Sequence, residues 1–143
     1  MPKSTTYSND TLLLLLNATP IANIADNAAA SPLTSLYLSL HTASPGIGGS
    51  QLTNETAFTN YVRIPVIRTA SGFAVSGGVG TLNLLAQFAQ CGVTGATVTH
   101  VALGTSLAGA GKVLYAGALS ASRAVSDGIQ PQFAISSLTV TET

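Results

Sequence analysis

At 143 residues the chain fits one domain that can bury roughly 70% of its unfolded surface, and its single cysteine, Cys91, excludes an internal disulfide framework. Only 7% of residues are Asp, Glu, Lys or Arg, five basic against five acidic, which gives little electrostatic protection against self-association. The basic residues Lys3, Arg63, Arg68, Lys112 and Arg123 are scattered, which excludes the cationic patch a nucleic-acid partner needs. With a mean hydropathy of +0.44, the composition predicts a surface covered by neighbours.

Residues 1–9 read as a polar arm. Leu12 to Leu16 is an unbroken leucine run. It does not read as a secretory leader, because Asp10 abuts it and the stretch after it is interrupted by Asn17, Asn23, Asp26 and Asn27. It is also far short of the ~20 apolar residues a membrane span needs, so no membrane partner is expected. The pattern predicts a helix capped by Ser8 or Asn9 and stopped near Asn17, then a second short helix opening at Pro20 behind Thr19. Five leucines in a row cannot all share one helix face. Either the domain's own sheet covers them all or a partner does; Leu12, Leu13, Leu15, Leu16, Ile21 and Ile24 are the predicted partner-binding residues, and removal of residues 1–17 is expected to weaken particle binding while leaving the β-domain folded.

After the small-residue connector Asp26 to Pro32 comes the clearest strand, Ser35 to His41, where Leu36, Leu38 and Leu40 alternate with Tyr37, Ser39 and His41. Ala43 to Asn54, with Pro45, Gly46, Gly48 and Gly49, reads as a long loop that either connects or contacts another subunit. Tyr61 to Arg68 reads as a strand with Val62, Ile64 and Val66 on one face, and Pro65 marks an edge or bulge. Phe73 to Ser76, Thr81 to Ala89, Thr97 to Thr105, Lys112 to Leu119 and Phe133 to Val140 come next, between turn signals at Gly77-Gly78, Gly92 to Ala96, Ser106 to Gly111 and Asp127-Gly128. These about seven or eight short strands, with no room for crossover helices, predict an all-β fold: an antiparallel, jelly-roll-like sandwich over residues 33–143, behind an arm with short helices over 1–32.

Groups able to do chemistry are sparse. A hydrolase would have to pair His41 or His100 with Cys91 and an acid such as Glu55 or Asp127; no nucleophile motif surrounds Cys91, and the histidines read as structural. No ligand spacing suits zinc. Gly104 to Lys112 (GTSLAGAGK) lacks the phosphate-loop pattern, so its glycines read as hairpin residues. Neither a cofactor nor a catalytic residue is predicted. Arg63 and Arg68, five apart on one strand, point to opposite faces, so that a buried one would need a carboxylate or carbonyl partner, with Glu55 and Asp127 the nearest candidates; the simpler expectation is a surface arginine. Tyr37 and Tyr61 could contact sugars, but a chain without tryptophan gives little support for such a platform.

The motifs LYLSLHTASPG, TNETAFTNYVRIPVIR, GFAVSG, TVTHVALGT and GAGKVLYAGAL, in this order over residues 14–142, resemble a family of short structural proteins of tailed phages, whose members are usually labelled tail-fibre-like. The resemblance implies a virion protein made in the host bacterial cytoplasm. Phe73 stands where such relatives are expected to carry Trp, so packing is the role read for it. The first function expected is a capsid decoration or cement protein on the outer head surface, a homo-oligomer such as a trimer with the major capsid protein as partner, stabilising the lattice by mass action. The alternative is a tail or tail-fibre component with tail proteins as partners. A cell-wall hydrolase is the third, disfavoured by the lack of paired carboxylates.

Overall fold

The computed structural model describes residues 5–21 and 32–142. Among the described residues, one helix, α1 (Thr5–Asn17), precedes nine strands: β1 (Ser35–His41), β2 (Ile64–Ile67), β3 (Phe73–Ser76), β4 (Val79–Leu82), β5 (Ala86–Gln87), β6 (Ala96–Gly104), β7 (Val113–Val125), β8 (Gln132–Phe133) and β9 (Thr139–Thr141). The chain is all-β with a short N-terminal helix and antiparallel pairing, as expected. Its strands fall into three sheets, ordered β2-β1-β6-β7, β3-β4-β9 and β5-β8. The chain divides into two compact units, one of residues 1–35, 66–85 and 133–143, the other of residues 36–65 and 86–132.

In the first unit, α1 starts upstream of the expected cap. Ser8 is buried within it, and the Asn9 side-chain oxygen accepts from the Gly78 backbone N–H at 3.4 Å, serving the β3–β4 turn and not its own helix. The helix stops where expected: Ala18 takes a left-handed φ of 54°, and the Thr19 N–H donates to the Leu13 carbonyl at 3.1 Å. Leu12 and Leu16, four apart and so on one face, are both 0% exposed. On β4, a Cβ at Gly80 would lie 2.5 Å from Leu16 Cδ1, so a larger residue there would have to push the leucine tip aside. Gly77 and Gly78, both at positive φ, close the two-residue β3–β4 turn. Phe73, Leu82, Val66 and Val140 complete this unit's core. Pro20 is not helical, and the remainder of the predicted second helix, including Ile24, lies outside the described residues.

In the second unit, β1 pairs with β6 in a register that sets Tyr37 opposite Gly104 and His41 opposite His100. Leu36, Leu38 and Leu40 are buried, as the alternation predicts, but Ser39 and His41 on the other face are buried too. The expected strand from Tyr61 to Arg68 shortens to β2, in which Val66 is buried as expected and Ile64 half-buried, while Val62 and Arg63 lie ahead of it. Val62 is 60% exposed, whereas Arg63 is only 4% exposed, because the arginine side chain is drawn inward to Glu55. Thr81 to Ala89 is broken between β4 and β5, and β7 runs six residues past the expected Leu119, with irregular pairing to β6 between Val98 and His100.

Candidate functional site

The most constrained side chain of the second unit is Arg63. Its Nε and Nη2 donate to Glu55 Oε1 and Oε2, each at 2.7 Å, forming a bidentate ion pair. Nη1 and Nη2 also donate to the carbonyls of Ser106 at 2.9 Å and Gly109 at 2.8 Å. Tyr61 Oη donates to Glu55 Oε1 at 2.9 Å and accepts the Leu40 N–H at 3.0 Å. The network thus ties β1, the 55–63 segment and the β6–β7 loop together. Hydrogen bonding to Glu55 raises the Arg63 guanidinium above its ordinary value, and burial holds the Tyr61 hydroxyl well above its own. The expectation that a buried arginine would find Glu55 is met; the simpler surface reading of Arg63 is corrected. Tyr61 stacks on Phe88 with centroids 6.1 Å apart and meets Phe58 edge-on at 5.2 Å, so its ring packs the unit and offers no stacking platform for a sugar.

His41 and Cys91, two of the groups a hydrolase would have to pair, are both taken up in buried structural contacts. His41, 0% exposed, has Nδ1 2.9 Å from the Thr53 carbonyl and Nε2 2.9 Å from Ser39 Oγ. A carbonyl only accepts, so the proton sits on Nδ1 and Nε2 accepts from the serine. The pair is sealed from solvent, and a carbonyl occupies the place an orienting acid would take. Cys91 is also buried, with Sγ 3.2 Å from the Gly92 carbonyl and 3.4 Å from that of Thr94.

Burial depresses the pKa of His41 below its ordinary 6.5. Between that depressed value and 6.5, the unfolded chain binds the proton that the folded chain refuses, so stability rises with pH through this window and levels off above it. Denaturation midpoints are expected to fall from pH 7.5 to 5.5 in the native chain and to fall less in His41→Gln. An identical pH slope in the variant would remove His41 from that role.

Gln51 carries an importance its sequence context does not show. Fully buried, it accepts the Ser106 N–H through Oε1 at 3.0 Å and donates from Nε2 to the Tyr37 carbonyl at 3.4 Å. A Cβ at Gly104 or Gly111 would lie 2.2 Å from its side chain. The glycines read as hairpin residues therefore also make room for this amide. A polar residue flanked by exposed loop residues gives no sign of burial; only the paired glycines of the facing hairpin hint at it.

The predicted docking residues divide. Leu12 and Leu16 are consumed by the chain's own core and offer no surface; Leu13, Leu15 and Ile21 are half-buried. Arg68 sits at the end of this helix, its Nη2 and Nε donating to the carbonyls of Leu14 at 2.8 Å and Leu15 at 2.7 Å, and its Nη1 to Leu33 at 2.7 Å. It satisfies carbonyls that a helix end leaves open and places a cation at the negative pole of the dipole. The carbonyl-partner alternative holds for Arg68, against the surface reading.

The second unit also exposes apolar side chains on two loops and one flank. Ile47 is 110% and Leu52 54% exposed, while Val62 and Leu107 stand 60% and 55% exposed. The latter two border a cavity of about 540 Å³ lined also by Glu55, Tyr61, Arg63, Ala108 and Gly109.

Residues 14–141 match the model of the family described as Podophage GP4 fiber I protein gp80. The match covers nearly the whole chain, so the chain belongs to this family and is a phage virion structural protein, as the motif resemblance implies. No curated protein matches it.

Proposed function

We propose that this member of the podophage fibre family is a non-enzymatic structural subunit of the fibre assembly, held by burial of uncharged surface against neighbouring copies and virion proteins. The observation that carries this reading is the near full-length match to a family described as a fibre protein. The physical features agree with it. Charged residues make up only 7% of the chain, and aliphatic side chains stand exposed at Ile47, Leu52, Val62 and Leu107. The groups with chemical potential are turned to structural use: Glu55 and Arg63 pin loops, and His41 pins a strand.

Counting this protein against the major capsid protein in purified particles by quantitative mass spectrometry tests the reading. A small number of copies per particle, in proportion to an appendage, supports it. A ratio approaching one would overturn it in favour of the capsid decoration role expected from composition.

A further inference from the structure

We infer that His41 is a proton-operated latch for the loop of residues 42–54, closed while its ring is neutral and released when the ring takes up a second proton. The loop is tied at two places. At its neck the Thr42 N–H and Oγ1 donate to the Asn54 carbonyl at 2.8 and 3.2 Å, and the His41 ring reaches across to the Thr53 carbonyl. Further along, the Gln51 N–H donates to the Gly111 carbonyl at 2.8 Å. Of the loop's own side chains only those of Pro45 and Gln51 are buried, while Ile47 and Leu52 stand exposed. A segment that buries so little opens at a lower cost than global unfolding.

The closed site has no comfortable place for that proton. Nε2 accepts from Ser39 Oγ, so a proton arriving there turns both atoms into donors until the hydroxyl swings away, and the other acceptor it reaches is the Ala102 carbonyl, at a long 3.4 Å. The ring is 0% exposed, so the new charge meets no water. The charged and titratable groups that face it are Glu55 and Arg63, just beyond the loop, and His100, directly opposite on β6. Glu55 favours the imidazolium, but its oxygens already hold Arg63 and the Tyr61 hydroxyl; Arg63 and His100 oppose it. Burial outweighs the attraction and keeps the ring's pKa below its ordinary 6.5. Lifting residues 50–54 takes the Thr53 carbonyl off Nδ1 and lets water reach the ring while β1 stays paired with β6. A proton that the closed loop refuses and the open loop accepts favours the open loop as pH falls through 6.5.

The latch goes beyond the fibre reading and does not depend on it: it decides whether Ile47 and Leu52 are presented on a fixed loop or a loose one. Amide hydrogen exchange on the purified full-length chain, corrected for the intrinsic effect of pH, tests it by comparing the Thr42 and Gln51 N–H groups with those of the β6–β7 pair. From pH 7.5 to 5.5 the two loop amides are expected to lose protection several-fold, up to about tenfold, the limit that a hydrated ring titrating at its ordinary value sets. The β6–β7 amides should lose less. In His41→Gln, whose amide can still donate to the Thr53 carbonyl but takes up no proton, the loop amides should lose no more than the β6–β7 amides; His100→Gln should keep the excess loss at the loop. An unchanged melt at pH 7.5 verifies the fold of each variant, and the comparison within the native chain stands alone where a variant does not fold. The proposal fails if the native loop amides only track those of β6–β7, if the excess loss persists in His41→Gln, or if it vanishes in His100→Gln.

Discussion

Replacing Arg63 with alanine is expected to lower stability by about 3–5 kcal/mol, the cost of leaving a buried carboxylate without its cation. That is a large share of the about 5–15 kcal/mol available to a domain of this size, and corresponds to a fall in melting temperature on the order of ten degrees. Glu55 would keep only the Tyr61 hydroxyl at 2.9 Å, the Ser106 carbonyl would lose its guanidinium donor, and the Gly109 carbonyl would keep only the Gly111 N–H at 2.9 Å. Arg63→Lys should recover only part of the loss, because one ammonium cannot span two carboxylate oxygens and two carbonyls in the fork that the guanidinium does. The double variant Glu55→Gln with Arg63→Met should be more stable than Arg63→Ala alone, since it removes the orphaned charge. Chemical denaturation of the set decides this. A loss under about 1 kcal/mol for Arg63→Ala would place the pair among exposed ion pairs and break the link between the β6–β7 loop and the 55–63 segment.

Legibility in the sequence depends on whether a residue's signal is local. The alternation from Leu36 to Leu40 fixed β1 because period-two burial needs no knowledge of the partner strand. The burial of Ser39 and His41 did not show, because their satisfaction comes from Thr53 and each other, contacts the chain makes only once folded. Arg63 and Arg68 were separable by strand parity, and scarcity of acids pointed to Glu55; that Arg68 would cap a helix more than fifty residues away is written in no local pattern. Val62 misled for the converse reason. It has the hydrophobicity of a core position, but it lies ahead of β2, where Glu55 draws Arg63 inward and leaves Val62 at the rim of the cavity, while Val66 within the strand is buried as the alternation predicts. The loop from Ala43 to Asn54 was readable as a loop and as a possible subunit contact; that Gln51 within it is a buried polar anchor depends on space left by Gly104 and Gly111.

Deleting residues 1–17 is expected to unfold the unit that contains β3, β4 and β9, contrary to the expectation that the segment is dispensable for folding. Leu12 and Leu16 are 0% exposed, and removing either side chain alone, as in Leu16→Ala, should cost about 2–5 kcal/mol. Losing both, with the carbonyls that Arg68 caps, takes most of what a domain has in reserve. Leu16 Cδ1 packs against the bare Cα of Gly80, so without the helix β4 keeps a glycine's backbone freedom and a void beside it. Hydrogen exchange of the β3–β4 amides in the truncated chain reads this directly, and loss of protection there is the expected result. Full protection and an unchanged melt would return the leucine run to a docking role. Leu13→Ser and Leu15→Ser complete the separation. Both side chains are half-buried, so a docking helix would lose particle binding with little loss of stability, whereas a purely internal helix would show only the modest destabilisation of their buried halves.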